Sequence, residues 1–325
     1  MTVKWNKQTF WDALFLSVLF FCGIGLLRFS KPVSAAVVHA LNLCTDILLP
    51  SLFPFFVLSS LLVSSGIVQQ ISRHLRKPMR ILFGLPACCS SAILLGAVGG
   101  YPVGARTVSM LYQQNLCSRQ DAQNALLFCN NAGPAFLIGA IGSGLLNDRQ
   151  TGIQLYLIHL LASLLIGLLG KSMFARQMHH SVLTQKDVKQ NSITDIVLQS
   201  ITSSFAVFIN VCAFVLLFAV IMCLLQESGL LTLLPRALPF PDAFSSGLFC
   251  GFLELTTGAD LLAHAGLPRR LLLPGLSLLC GWGGLSVQLQ TISLLRETGL
   301  PCRRYLAAKV IHGVLAALLT LPLVF

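Results

Sequence analysis

The chain has little charge. Only 10% of its 325 residues are Asp, Glu, Lys or Arg, and the acidic ones are the scarcer, 11 against 22 Lys and Arg. A soluble domain carries about 25%. A charge content this low cannot coat a water-exposed globule of this size, so a soluble α/β enzyme, a disordered chain and a collagen are excluded. Metal-ligand cysteine spacing is missing as well. Of 11 cysteines none forms a C-x-x-C pair, Cys88 and Cys89 are adjacent, and Cys22, Cys129, Cys212, Cys223, Cys250 and Cys280 sit in apolar runs. There they behave as small hydrophobes rather than as a disulfide framework. H-E-x-x-H, G-x-S-x-G and Walker sequences are absent. No enzymatic activity, metal or cofactor is therefore expected, and any transport would be gradient-driven or facilitated, with a coupling proton or Na+ left open.

What the chain has is apolar length. Hydrophobic residues make up 55% and mean hydropathy is +0.80, in long runs separated by short polar punctuation, the pattern of membrane-spanning helices. The formal net charge of +11 lies in loops, where it orients the protein and meets anionic lipid. No basic patch is interleaved with aromatics, so nucleic acid is not an expected partner.

Along the chain, Phe10 to Leu27 reads as a retained first span after Lys4 and Lys7, because it is long for a signal peptide and Ser34-Ala35-Ala36 is a weak cleavage site. Val33 to Leu49, with His39, Asn42 and Asp46, reads as an interfacial helix. Pro50 and Pro54 open a second span reaching Val68, followed by a basic loop of Arg73, His74, Arg76, Lys77 and Arg80. Ile81 to Gly100, ending in Gly99-Gly100-Tyr101-Pro102-Val103-Gly104, reads as a re-entrant hairpin, with a short helix after it to Gln114. Arg119 to Leu146 is a span broken at Asn130-Asn131-Ala132-Gly133-Pro134, and Thr151 to Leu169 is a further span. The polar stretch from Lys171 to Asn191 divides the chain. The second half repeats the order: a long span from Ile196 to Leu225, a short segment from Phe244 to Gly258, a span from Arg269 to Leu295 interrupted at Gly281-Trp282-Gly283-Gly284, and a last span from Tyr305.

These parallels, kept at a nearly constant offset, indicate an internal duplication. With the basic loops placed in the cytoplasm, each copy has an odd number of crossings and the copies are inverted; Arg236, Arg269 and Arg270 then fall outside, against the charge rule. The expected fold is an all-α polytopic membrane protein with two inverted repeats, re-entrant hairpins, discontinuous helices and about seven full spans. Its expected parts are residues 1–49 (first span and interfacial helix), 50–170 (first repeat), 171–192 (cytoplasmic basic linker) and 193–325 (second, inverted repeat).

Inverted repeats with broken helices point to a transporter site, because each break frees N–H and C=O groups that a polar solute or ion can satisfy at membrane depth. Candidate solute-binding residues are Asn130, Asn131, Gly133 and Pro134 at the first break, Tyr101 and Arg106 at the first turn, and Glu254, Thr256 and Thr257 in the second hairpin. Adjacent amides at membrane depth are costly without partners, but they can also bond neighbouring helices at a structural kink. Arg106 offers a bidentate fork to a carboxylate or snorkels to headgroups. Glu254 is a carboxylate among Phe252, Leu253 and Leu255, a candidate proton or cation site or half of an ion pair. Asp260 is a weaker ligand candidate. Ser286, Gln288 and Gln290 cannot all share one helix face, so at most two line a single cavity. His159 and His312, in matching final spans, read as structural hydrogen-bonders.

Three segments resemble a known family: Leu48-Leu49-Pro50-Ser51-Leu52-Phe53-Pro54-Phe55-Phe56, Gly100-Tyr101-Pro102-Val103-Gly104-Ala105 and Phe128-Cys129-Asn130-Asn131-Ala132-Gly133-Pro134. They look like the sporulation integral membrane proteins of the YlbJ type, within the nucleoside-recognition or Gate group. The resemblance runs from about Leu48 to Leu319, with Glu254 to Gly258 as weaker support; the second break lacks an Asn pair, so a symmetric two-Asn site is not implied. The resemblance implies a multi-pass protein of the cytoplasmic or forespore-surrounding membrane of a spore-forming bacterium, N-terminus inside. It also implies kinship with the gate regions of nucleoside and ferrous-iron transporters and an association with dipicolinate export. The expected function is a secondary transporter or facilitator of a small polar or anionic solute, dipicolinate- or nucleoside-like, with lipid as its other partner. The alternative is a non-transporting scaffold or assembly factor in spore or envelope construction. Oligomeric state is left open.

Overall fold

The computed structural model describes residues 7–174, 192–233 and 240–324. Most of the expected linker and the stretch from Arg236 lie outside the described residues. Among those described, the regular structure is entirely helical. Helix α1 (Lys7–Arg28) leads into α2 (Ser30–Leu43), which passes through a π-helical turn (Cys44–Leu48) directly into α3 (Leu49–Ser64). Pro50 lies at the join of the π turn and α3, where its missing N–H interrupts an otherwise continuous helical ladder. Short helices α4 (Ile67–Ser72) and α5 (Arg76–Pro78) carry the basic loop. Next come α6 (Cys89–Gly99) and α7 (Val103–Gln113), then α8 (Arg119–Leu126), a π-helix (Ala135–Leu145) and α9 (Arg149–Phe174). The remainder is α10 (Ile193–Glu227), α11 (Leu230–Leu233), α12 (Asp242–Leu253), α13 (Leu255–His264), α14 (Arg269–Trp282), α15 (Gly284–Thr298) and α16 (Arg303–Thr320).

Five helical segments among the described residues are long and apolar enough to cross a membrane: α1, α9, α10, α14 with α15, and α16. Helix α1 buries none of its apolar window, and Phe15, Leu16, Phe20, Phe21 and Leu27 all point outward. In lipid these side chains are solvated by acyl tails and need no protein partner. The molecule is an all-α polytopic membrane protein.

The order of elements recurs. A long helix (α3 or α10) precedes a helix pair (α6–α7 or α12–α13), a helix broken in its middle (α8 to the π-helix, or α14 to α15) and a closing helix (α9 or α16). The closing helices pack on each other. The sequence places both breaks where the structure has them. It places the helix pairs less well: the Gly100-Tyr101-Pro102 turn is the tip of the α6–α7 pair, and residues 79–88 form a π turn and loop before it. The reason is that α7 buries most of its length, so an arm with few long apolar residues still packs as half of a hairpin.

Each pair packs on the break that follows it, through glycine. A Cβ at Gly96 would lie 1.8 Å from the Cys129 carbonyl oxygen, and one at Gly104 2.0 Å from the same atom. In the second half a Cβ at Gly284 would lie 2.8 Å from the Leu255 nitrogen. Main chain meets main chain at both places, as small residues allow between membrane helices.

Candidate functional site

The first break begins where α8 ends. Ser118 caps α8 in a reciprocal capping box with Asp121, and eight residues later the helix stops, leaving carbonyls without intrahelical donors. The Phe128 carbonyl accepts from Asn131 Nδ2 (2.9 Å) and Ser163 Oγ (2.6 Å). The Asn130 carbonyl accepts from Lys309 Nζ at 2.8 Å. Asn130 Nδ2 donates to Thr291 Oγ1 (3.1 Å) and Tyr305 OH (3.0 Å), and its Oδ1 accepts from the Ala105 N–H. Asn131 Nδ2 also donates to Ser163 Oγ, and the Ala132 N–H donates to His159 Nε2 at 3.0 Å. Side chains from α9, α15 and α16 thus hold an unwound segment in place, where each orphaned group would otherwise cost free energy.

The second break is tighter. Gly283 takes a left-handed conformation (φ 89°), its N–H closing on the Leu279 carbonyl at 2.7 Å, and Gly284 follows at φ 76°. Gln288 turns back to donate to the Trp282 carbonyl. The Trp282 indole stacks on Phe252 (centroids 4.9 Å apart) and donates to the Phe252 carbonyl at 3.0 Å. Beside it Glu254 begins α13, its carboxylate accepting from the Thr256 N–H (3.0 Å), the Thr257 N–H (2.7 Å) and the Thr257 hydroxyl (2.7 Å).

Both tips, the first break and the first turns of α15 border one cavity of about 350 Å³. Gly100 and Tyr101 come from the first tip, Ala132 and Gly133 from the first break, Glu254 to Thr257 from the second tip, and Ser286 and Gln290 from just past the second break. Leucine, valine and phenylalanine side chains of α2, α3 and α10 close the rest, with His39 at one edge. The lining is mostly apolar with a few convergent polar groups, the composition of a small-molecule site. Ser286 and Gln290, one turn apart, face it while Gln288 does not, as helical spacing requires.

Of the sequence candidates, Tyr101, Gly133, Glu254, Thr256 and Thr257 line this cavity; Asn130, Asn131, Pro134 and Arg106 do not. The two asparagines are 0% and 1% exposed, and their amide nitrogens are engaged by protein. Arg106 lies on α7 facing α10, where it donates to Ser204 Oγ (3.0 Å) and Ser203 Oγ (3.4 Å) and stacks over Phe56 at 5.1 Å. Asp260 pairs with His264 at 3.2 Å on an exposed face. His159 and His312 are hydrogen-bonded inside the bundle. Sequence reasoning missed Lys309, although a lysine within the apolar span from Tyr305 is itself a signal.

The comparisons bear on this arrangement. A family profile described as nucleoside recognition (Gate) matches residues 47–213, which hold α3, the first helix pair, the first break, α9 and more than half of α10. The chain belongs to the Gate family. Among curated proteins it is similar to the sporulation integral membrane protein YlbJ of Bacillus subtilis (strain 168), 29% identical over 314 residues that cover 87% of this chain and 75% of that protein. No solved structure matches. The Gate match carries Tyr101, Arg106 and the Asn130–Pro134 break; Glu254 to Thr257 and Lys309 lie beyond it.

Proposed function

We propose that the chain is a secondary transporter or facilitator of a small polar solute, bound where the two helix-pair tips meet the first break and the start of α15. The observation that carries this is the shared cavity. In this reading each helix pair is a re-entrant hairpin. The seven spans are α1, α3, α8 with the π-helix, α9, α10, α14 with α15, and α16, and residues 50–170 and 193–325 are inverted copies. Contacts between distant loops support the sidedness. On the cytoplasmic side, Lys171 donates to the Ile81 carbonyl and Arg119 to the Gly299 carbonyl (3.1 Å). On the other side, Arg269 meets Thr151 Oγ1 (2.8 Å) and Asp148 (3.7 Å).

The lining bears on the solute. It includes the Glu254 carboxylate and no lysine or arginine, while Tyr101, Thr256, Thr257, Ser286 and Gln290 supply neutral hydrogen-bonding groups between apolar walls. This favours a flat, neutral ring with polar edges, such as a nucleoside, over a dianion such as dipicolinate, which would meet the Glu254 carboxylate with His39 as the one basic side chain in the lining. Counterflow of labelled uridine, dipicolinate and simple carboxylates into proteoliposomes tests the reading. Uridine exchange weakened at least tenfold by Thr257→Val with Gln290→Leu is the expected result; folded protein that exchanges none of the probes would end the proposal.

One observation favours the scaffold alternative: the amide nitrogens and freed carbonyls of the first break are engaged by protein. Replacing Thr257 by Val together with Gln290 by Leu, both cavity-lining, in a spore-forming host separates the readings. Unchanged spore contents at unchanged protein level would leave only the scaffold.

A further inference from the structure

Lys309 is 0% exposed in the middle of α16. Its nitrogen donates to the Asn130 carbonyl at 2.8 Å, lies 2.9 Å from His312 Nδ1 and sits 5.0 Å from the centroid of the Tyr101 ring. The tautomers follow from the partners. His312 Nε2 faces the His159 carbonyl at 3.0 Å and must carry a hydrogen, so Nδ1 of the neutral ring accepts from Lys309. His159 Nε2 accepts the Ala132 N–H, so its hydrogen is on Nδ1, which is buried without a hydrogen-bond partner among the described residues. The two imidazoles lie 4.3 Å apart at 35°.

The surroundings contain no counter-charge. Facing Lys309 are Tyr101 from the first tip, Cys129 from the break, His159 from α9, and Tyr305 and His312 from α16 itself. On α14 the Cys280 carbonyl accepts from the Tyr101 hydroxyl at 3.1 Å. Among the described residues no Asp or Glu lies within ion-pair distance of Lys309. The amine form keeps both hydrogen bonds with its two hydrogens. The ammonium form keeps them with two of three, and its positive charge is drawn to the Tyr101 ring. A lysine held this way can take up and release a proton without breaking the contacts that hold the first break.

We propose that Lys309, with His312 behind it, is a proton-binding site that couples movement of the first hairpin tip to the transmembrane proton gradient. This rests on the transporter reading above. The proton adds to the Lys309 amine and is given back to water as the tip moves Tyr101, the neighbour of Lys309 that lines the cavity. While bound, it holds Tyr101, a cavity-lining side chain, by cation–π attraction; once it leaves, that hold is gone.

Two measurements test it. Hydrogen exchange of peptides covering Gly99 to Gly104, in nanodiscs at pH 6 and pH 8 and corrected for intrinsic rates, should change at least tenfold in the native protein. It should be pH-independent in Lys309→Arg and Lys309→Met. A native protein without the response, or a response that survives in the variants, overturns the proposal. If Lys309→Met fails to fold, the charge-retaining Lys309→Arg decides. In proteoliposomes, uridine should accumulate under an imposed proton gradient and not a sodium gradient, and Lys309→Arg should lose that accumulation. Counterflow indifferent to protons sinks the proton site and leaves transport standing. Absence of all transport beside a Lys309-dependent exchange response sinks transport and leaves the proton site.

Discussion

Gly96 and Gly104 straddle one carbonyl, that of Cys129, and no side chain separates the helix pair from the break. A methyl group at Gly96 has to displace main chain on both sides. Overpacking of this kind costs about 1–3 kcal/mol. Gly139 on the π-helix has nothing within 4 Å of its Cβ position, and Ala there gains up to about 1 kcal/mol in helix propensity. Gly96→Ala should therefore lower the thermal unfolding temperature in detergent while Gly139→Ala leaves it unchanged or raises it. Equal behaviour of the two variants would refute the close approach.

At the scale of elements, two helix starts are held by carboxylates. Glu254 accepts three hydrogen bonds at the start of α13, and removing such a cap costs about 0.5–2 kcal/mol. Glu254→Ala should destabilise by that amount in denaturation measurements and Glu254→Gln, which keeps an acceptor, by less. Asp148 does the same for α9 outside the apolar span. The hydroxyl and then the N–H of Thr151 hold its carboxyl below the usual carboxylate value, with Arg269 adding to the effect. The sign follows: the bonds favour the ionised form, so Asp148 stabilises the fold above its unfolded value of about 3.9 and loses that contribution as pH falls through its lower folded value. Asp148→Asn should flatten the acid side of the stability–pH curve, and an unchanged curve would contradict the assignment. Both breaks could be read directly from the sequence, because Asn130-Asn131-Ala132-Gly133-Pro134 and Gly281-Trp282-Gly283-Gly284 cannot continue an apolar helix. The pairing of α6 with α7 was harder to see, since α7 mixes Arg106, Thr107, Ser109 and Gln113 with few long apolar residues and its burial comes from tertiary packing. Likewise the cavity-facing role of Tyr101 and Glu254 followed from their turns. The retreat of Asn130 and Arg106 behind the lining depended on partners 161 and 98 residues away, at Thr291 and Ser204, and no local pattern announces such pairs.

For the whole molecule, the proposed inverted arrangement would put Lys77 in the cytoplasm and Asp242 on the opposite side. Single cysteines at these positions, in a background freed of the native ones, should react with an impermeant maleimide from opposite faces of intact and inverted vesicles. Labelling of both from one face would remove the inversion, and with it the argument that two copies share a central cavity. Helix α10 has a further consequence. Its 35 residues extend about 52 Å, against a hydrocarbon core of about 30 Å. The surplus must be taken up by leaning or by projecting into the headgroups. This same rod supplies one wall of the cavity through Val211, Val215, Ala219 and Met222 and anchors Arg106 through Ser203 and Ser204. Whatever part of the surplus α10 takes up by leaning tilts this wall of the chamber as acyl-chain length changes. The thickness of the surrounding lipid becomes a mechanical input to whatever the chamber holds.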